Sequence, residues 1–152
     1  RPFNVATGEW KAPEVRPLYR LDLLAIHKGP VIVVMHRPVF TTGPSVHEAR
    51  IMRPFIHPLF KHYGVDLVLS GHESFYERSK KLDGVVYINT GGGGSPLYTP
   101  NRAKFDSKYI QINSKSWHFL VVKVKNNSIK VKTLDYEGKK IDEFKLNSAD
   151  NG

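Results

Sequence analysis

The chain of 152 residues contains no cysteine, which excludes disulfides and thiolate metal ligands. Any metal that it binds must be held by histidine, carboxylate, amide or hydroxyl groups. It also lacks an apolar run of membrane-spanning length and a charged-then-apolar targeting segment, so we expect no membrane partner. Its first residue is Arg1 rather than methionine, from which we expect a processed chain or a fragment.

The composition is that of a folded domain with a basic surface. Hydrophobic residues make up 40% of the chain, enough for one domain with its own core. The formal net charge is +9, from lysines and arginines spread along the chain and denser in 79–81 and 123–140. Such a charge attracts phosphorylated or nucleic-acid ligands without specifying either class.

Two apolar strands, Val31–Met35 and Val65–Ser70, each run directly into a histidine. Uninterrupted aliphatic runs are typical of strands covered on both faces, which predicts neighbouring strands of a parallel sheet. The segment between them, Ser45–Gly64, has the length and pattern of a crossover helix. Since parallel strands end at one edge of the sheet, His36 and His72 are expected to converge there.

The crossover segment carries two further signals. Ser45 and Glu48 form a capping-box pattern that predicts the helix start. Pro54 and Pro58 fall inside the apolar period, and an internal proline removes a hydrogen bond and clashes one turn back. We therefore expect the helix to break near Arg53 and a second helix to begin there.

The rest of the chain divides into a lead-in, a domain and a tail. Residues 1–17 are predicted to be irregular, 18–146 to form the domain and 147–152 to be a polar tail. Pro17–His27 predicts a short amphipathic helix before the first buried strand. Beyond Arg78 the pattern becomes alternating, and the predicted strands are Phe75–Ser79, Val85–Thr90, Tyr109–Asn113, Trp117–Lys125, Ile129–Asp135 and Ile141–Leu146. The first two should pair antiparallel, and the last ones should form hairpins.

Two imidazoles at the ends of adjacent strands can meet on one cation. A neutral imidazole is a good ligand for Zn, Fe and Mn, and His36 and His72 require little backbone adjustment to share an ion. These two residues are therefore predicted metal ligands. The alternative interpretation is that both are polar residues at strand ends whose hydrogen bonds are made by backbone groups. It is less favoured because both strands end in a histidine.

The stretches VIVVMHRP, VDLVLSGHESFYER and VVYINTGGGGSPLY resemble the carboxyl-terminal half of the calcineurin-like metallophosphoesterases, within their purple acid phosphatase-like branch. The resemblance implies an α/β fold, half of a four-layer sandwich whose mixed sheet has parallel core strands, a crossover helix and carboxyl-terminal antiparallel hairpins. It matches His36 and His72 to ligands of one metal. Ser74 stands where the second motif usually has another histidine, so the ligand of the second metal is lost.

The resemblance also implies cofactors and partners. The complete protein would hold a dinuclear centre of Fe, Zn or Mn and hydrolyse a phosphate ester. The family's other ligands come from motifs earlier in the chain, and residues 1–30 contain none of them. We therefore expect this chain to bind metal weakly or not at all, to lack activity alone, and to need a missing amino-terminal half or partner chain. Self-association and export from the cytoplasm are further expectations.

Three other residues are candidates for substrate contact. His47 follows the first histidine motif at the distance where purple acid phosphatases carry substrate-contacting histidines, but a solvated residue of a first helical turn would look the same. Arg78 has the geometry to bind phosphate through two hydrogen bonds, or it pairs with Glu73 or Glu77. Arg37 has the same two alternatives, phosphate or solvent.

Three classes of function remain open at this stage. The first is the metal-dependent phosphoesterase, of which this chain supplies half of the site. The second is a degenerate, noncatalytic binding module with the same fold, which Ser74 favours. The third is a basic nucleic-acid-binding module, which is disfavoured because the lysines are dispersed and no aromatic-basic stripe accompanies them.

Overall fold

A computed structural model describes residues 3–4, 9–10, 27–100 and 106–148. Within these residues the elements are β1 (Phe3–Asn4), β2 (Glu9–Trp10), β3 (Ile32–Met35), α1 (Val46–His62), β4 (Leu67–Ser70), β5 (Tyr76–Ser79), β6 (Val86–Thr90), β7 (Ile110–Ser114), β8 (His118–Lys125), β9 (Ser128–Asp135) and β10 (Lys140–Asn147). β1 and β2 pair antiparallel inside the lead-in that was predicted to be irregular. The predicted helix Pro17–His27, apart from its last residue, lies outside the described residues.

The central layer is a five-stranded mixed sheet in the order β3-β4-β6-β5-β7. β3 pairs parallel with β4, which pairs parallel with β6, so the predicted parallel core is confirmed. β5 pairs antiparallel with β6, as predicted, and also with β7. The helix α1 makes the crossover between β3 and β4.

Each face of this sheet is covered by a different layer. Val68 and Tyr87 belong to a cluster that packs against α1, and Leu67 and Ile88 belong to a cluster that packs against the sheet β10-β9-β8. Neighbouring residues along a strand point to opposite faces, which is why the aliphatic runs carry no polar alternation. The described residues therefore form a helix layer, a mixed-sheet layer and an antiparallel-sheet layer, as the predicted α/β class requires.

The helix α1 is continuous from Val46 to His62, so the predicted break near Arg53 is wrong. Pro54 and Pro58 both lie inside it and are exposed. A carbonyl that loses its partner on the outer side of a helix is free to bond with water. The inner side, which includes Met52, Ile56 and Phe60, packs on the sheet and holds the helix together.

The predicted capping box is also wrong. Ser45 is the residue before the first helical turn, but its side chain makes no hydrogen bond to the helix. Its hydroxyl donates instead to the carboxylate of Glu73. Glu48, the other half of the predicted box, pairs with Arg37. Tertiary contacts have replaced the local cap at this helix end.

The carboxyl-terminal strands β8, β9 and β10 form two hairpins, as predicted. Asn126 and Gly138 have φ values of 52° and 84° in the two turns, a conformation that asparagine and glycine adopt most readily. In β9, Ile129 and Val131 are fully buried against the mixed sheet, while Lys130 and Lys132, which alternate with them, are exposed. No helix among the described residues is long and apolar enough to cross a membrane.

Candidate functional site

The two histidines predicted as ligands lie together at one edge of the mixed sheet. β3 and β4 run parallel with Met35 opposite Ser70, and His36 and His72 follow these strands almost at once. His36 Nε2 lies 3.1 Å from His72 Nδ1, with the rings edge to face at a centroid distance of 5.0 Å. The amide of Gly71 donates to the carbonyl of His36 at 3.1 Å, which continues the pairing one step beyond the strands.

The backbone of His72 adopts a conformation that few side chains tolerate. Its φ is 68°, in the left-handed region, where a residue with a Cβ is disfavoured by about 1–2 kcal/mol. Such strain persists only where the surroundings impose it, and it is concentrated at functional sites. The sequence does not indicate this conformation, because glycine is the residue expected at a positive φ and the glycine here is the preceding residue, Gly71.

The separation of the two nitrogen atoms fits a shared cation. For metal–nitrogen bonds of about 2.1 Å, two ligands of one ion lie about 3.0 Å apart at octahedral angles and about 3.4 Å apart at tetrahedral angles. The distance of 3.1 Å between His36 and His72 lies within this range. Both side chains are exposed, so an ion could reach them from solvent. Among the described residues, however, no three or more His, Asp or Glu side chains come together as a metal site.

Ser74 does not join the two imidazoles in a hydrogen bond. It is buried, and its hydroxyl lies 2.8 Å from the hydroxyl of Ser95. The position that resembles a ligand of the second metal is thus occupied by a short side chain that bonds to another serine. His47 is exposed in the first turn of α1, two residues after Ser45.

The two arginines considered for phosphate binding both have protein partners. Arg78 donates from Nε and Nη2 to the carboxylate of Asp142 at 2.6 and 3.1 Å. One of the sequence alternatives paired Arg78 with Glu73 or Glu77. Its partner is instead Asp142 of β10. Arg37 donates to Glu48 at 2.7 Å at the surface. Both guanidinium groups therefore already bind a carboxylate of the protein.

Two glutamates, considered from the sequence only as partners of Arg78, are buried and bind the loop that follows His36. The carboxylate of Glu77 accepts from the amide of Thr42 at 3.0 Å and from its hydroxyl at 2.5 Å. Burial raises the pKa of Glu77, against the hydrogen bonds from Thr42 and Thr41. The carboxylate of Glu73 binds Ser45 in the same way. Together they attach the loop that follows His36 to the segment that follows β4.

Comparison with known proteins gives a consistent family resemblance. No family model matches the chain. It is 37% identical over 98 residues to a phosphoenolpyruvate phosphatase of Allium cepa, covering 63% of this chain and 20% of that protein. It is 38% identical over 58 residues to purple acid phosphatase 1 of Ipomoea batatas, covering 38% of this chain and 12% of that protein. The chain thus spans a fifth or less of these relatives.

Two solved structures share the fold. The purple acid phosphatase PPD1 from yellow lupin seeds superposes with a TM-score of 0.75 and 15% identity, over 91% of this chain and 29% of that one. The protein GAP50, described as the anchor in the inner membrane complex of Plasmodium, superposes with a TM-score of 0.72 and 26% identity, over 85% of this chain and 41% of that one. In sequence and in fold, the chain therefore resembles one part of a purple acid phosphatase-like metallophosphoesterase.

Proposed function

We propose that this chain contributes two ligands, His36 and His72, to the metal centre of a metal-dependent phosphoesterase that hydrolyses phosphate esters. The observation that carries the proposal is the 3.1 Å separation of His36 Nε2 and His72 Nδ1 at the carboxyl edge of two parallel strands. That edge is where open α/β sheets bind ligands. The similarity to acid phosphatases supplies the reaction class.

The chain's own residues would hold and orient the metal. Without metal, His36 Nε2 and His72 Nδ1 lie within hydrogen-bond distance, and the tautomer decides which of them donates. To bind one cation, both nitrogens must be free of hydrogen, so the ring that donates here would carry its proton on its other nitrogen instead. When bound, the metal centre supplies the positive charge that offsets the charge of the reacting phosphoryl group.

The remaining ligands would come from protein beyond the described residues or from a partner chain. Two imidazoles are half of a tetrahedral set, and the chain covers a fifth or less of its relatives. Among the described residues β3 is an edge strand of the mixed sheet, and Val34 on it is 77% exposed. An open, apolar strand edge next to His36 is where the missing part would pack. The chain alone is expected to have no phosphatase activity.

The ligand assignment can be tested on the chain as it is. Zn²⁺ is titrated into the wild type and into His36→Ala, His72→Ala and His62→Ala variants by calorimetry at neutral pH. His62 is an exposed histidine at the far end of α1 and is the matched control. We expect weak binding by the wild type and the control, and none by the other two variants. Equal binding by all four proteins would refute the assignment.

The substrate class requires the complete site. A protein that joins this chain to the upstream region of its own gene is assayed for hydrolysis of a chromogenic phosphomonoester, with metal content measured on the same sample. Hydrolysis that disappears with His36→Ala and persists with His62→Ala supports the proposal. A sample that holds metal and shows no hydrolysis refutes it.

A second candidate is a noncatalytic binding module of the same fold. Ser74, at the position of a metal ligand in the resemblance, bonds to Ser95 and offers only a weak neutral oxygen. GAP50, with 26% identity, is described as the anchor in the inner membrane complex of Plasmodium, and an anchoring role of this kind favours the alternative. The number of bound ions separates the two candidates: a complete protein with two ions and turnover excludes the module, and one with at most one ion and no turnover excludes the enzyme.

A further inference from the structure

Glu73 is completely buried between two residues of the candidate site, His72 and Ser74. One carboxylate oxygen, Oε1, accepts the amide of Ser45 at 2.7 Å and the hydroxyl of the same residue. The other oxygen, Oε2, is buried and has no hydrogen-bond partner among the described residues. A buried carboxylate that leaves half of its capacity unused is costly, because desolvation of that oxygen is uncompensated.

The surroundings are shaped to admit this side chain. A Cβ added at Gly43 would lie 2.4 Å from the carboxylate carbon of Glu73, so glycine leaves the space that the carboxylate fills. Within the described part of the chain no lysine or arginine forms an ion pair with Glu73. The favourable charge comes instead from the amino-terminal end of the 17-residue helix α1, which attracts anions.

The contact joins two parts of the candidate site that are distant in sequence. Ser45 is the residue immediately before α1, and His47 lies in the first turn of that helix. Glu73 follows His72 directly, so its carboxylate sets where the helix starts relative to the metal-binding pair. The hydroxyl of Ser45 would ordinarily cap its own helix and is committed here to Glu73.

We propose that Glu73 is a positioning residue that fixes the start of α1, and with it the first-turn residue His47, relative to His72. The inference rests on the proposed function, because it assigns the contact a purpose in the metal site. The neighbouring Glu77 binds Thr42 and holds the same loop at a different point. Glu73 therefore holds the residue before the helix, whereas Glu77 holds the loop at Thr42.

The test compares variants of the full chain by two measurements. The first is amide hydrogen exchange at Ser45, whose N–H donates to Glu73. The second is the set of paramagnetic shifts that Co²⁺ at the histidine pair produces on the amides of 45–47. The variants are Glu73→Ala, Glu73→Gln, which keeps the accepting oxygen, and Gly43→Ala, which displaces the carboxylate. Asp142→Ala is the control, because it removes a buried carboxylate bonded to β5 instead.

We expect Glu73→Ala and Gly43→Ala to accelerate exchange at Ser45 at least about tenfold, as loss of a hydrogen bond to a charged group requires. The Co²⁺ shifts of 45–47 should change in both, while Glu73→Gln restores exchange and shifts toward wild type. Asp142→Ala should leave both measurements unchanged after correction for global stability. If Glu73→Ala resembles Asp142→Ala in both, the inference is refuted. If wild type binds no Co²⁺, the assignment of His36 and His72 as sufficient for weak binding by this chain fails, and exchange at Ser45 still decides whether Glu73 fixes the helix start.

Discussion

Removing the carboxylate of Asp142 should destabilise the contact between the two sheets more than any surface substitution. Asp142 accepts hydrogen bonds from Tyr76 at 2.7 Å and from Arg78 at 2.6 and 3.1 Å. The two charged side chains are 8% and 16% exposed, so solvent screens them little. The Arg78 guanidinium also lies 4.5 Å from the centre of the Phe144 ring. Asp142→Ala leaves the guanidinium and the phenol without their acceptor.

The expected loss in the free energy of unfolding is about 3 kcal/mol, the lower end of the range for breaking a buried ion pair by deleting one partner. The lower end applies because water still reaches part of both groups. Urea unfolding should show a lower midpoint with an unchanged slope. The control is Glu143→Ala, the next residue, whose carboxylate pairs with Lys130 and Lys140 at the surface and whose removal should change the midpoint little.

The pH dependence provides an independent check. Burial raises the pKa of Asp142, but hydrogen bonds from Arg78 and Tyr76 and the charge of Arg78 outweigh burial and lower the pKa below its ordinary value. The stabilisation is therefore fully present above the ordinary aspartate pKa and is lost as the pH falls through the lowered value. The difference between wild type and Asp142→Ala should shrink correspondingly in acid. A difference below about 1 kcal/mol at neutral pH, or one that acid does not reduce, would refute the assignment of Arg78 as a structural residue.

Three further predictions concern other parts of the fold. Gly91→Ala should destabilise the fold by more than about 2 kcal/mol, since the new Cβ would lie 2.4 Å from the carbonyl oxygen of Glu73. Gly93→Ala is the control, because a Cβ there meets open space and should leave the stability unchanged. Equal urea midpoints for the two variants would contradict this. Pro58→Ala should raise the free energy of unfolding by about 2 kcal/mol, because the restored amide gains a helical hydrogen bond that outweighs the extra freedom of the unfolded chain. An unchanged or lower urea midpoint would show that the helix is already relaxed around the proline. Asn126 begins a glycosylation triplet in an exposed turn, so a chain expressed through a secretory pathway should gain one glycan, detected by mass and lost in Asn126→Gln; an unmodified chain would count against the triplet as an acceptor.

Most of the described fold was predictable because its signals are local. The aliphatic runs that end at Met35 and Ser70 indicated strands, and the helix between them makes such strands parallel. Covering on both faces holds for β4, whereas Val34 of the edge strand β3 is 77% exposed among the described residues. The convergence of His36 and His72 followed from that topology alone. The alternation of lysines with aliphatics in β9 likewise placed one face of the carboxyl-terminal sheet on the core.

The wrong predictions share a physical cause, which is that tertiary contacts overrode local rules. Pro54 and Pro58 were expected to break the helix near Arg53, but the packing of Met52, Ile56 and Phe60 on the sheet holds one continuous helix. Ser45 was expected to cap α1, but a buried glutamate 28 residues later takes its hydroxyl. Arg78 pairs with a carboxylate 64 residues away, and no local pattern could have indicated that partner. The strained backbone of His72 has no sequence signal either.

The environment of Ser74 determines how the two candidate functions can be separated. Restoring a histidine at this position looks like a direct test of the lost second ligand. Ser74, however, is only 6% exposed and its hydroxyl lies 2.8 Å from that of Ser95, so a larger imidazole at this position would have to displace Ser95. Failure of Ser74→His to restore activity would therefore reflect overpacking as readily as a noncatalytic origin. The number of ions bound by the complete wild-type protein is free of this ambiguity, because it depends on the ligands already present.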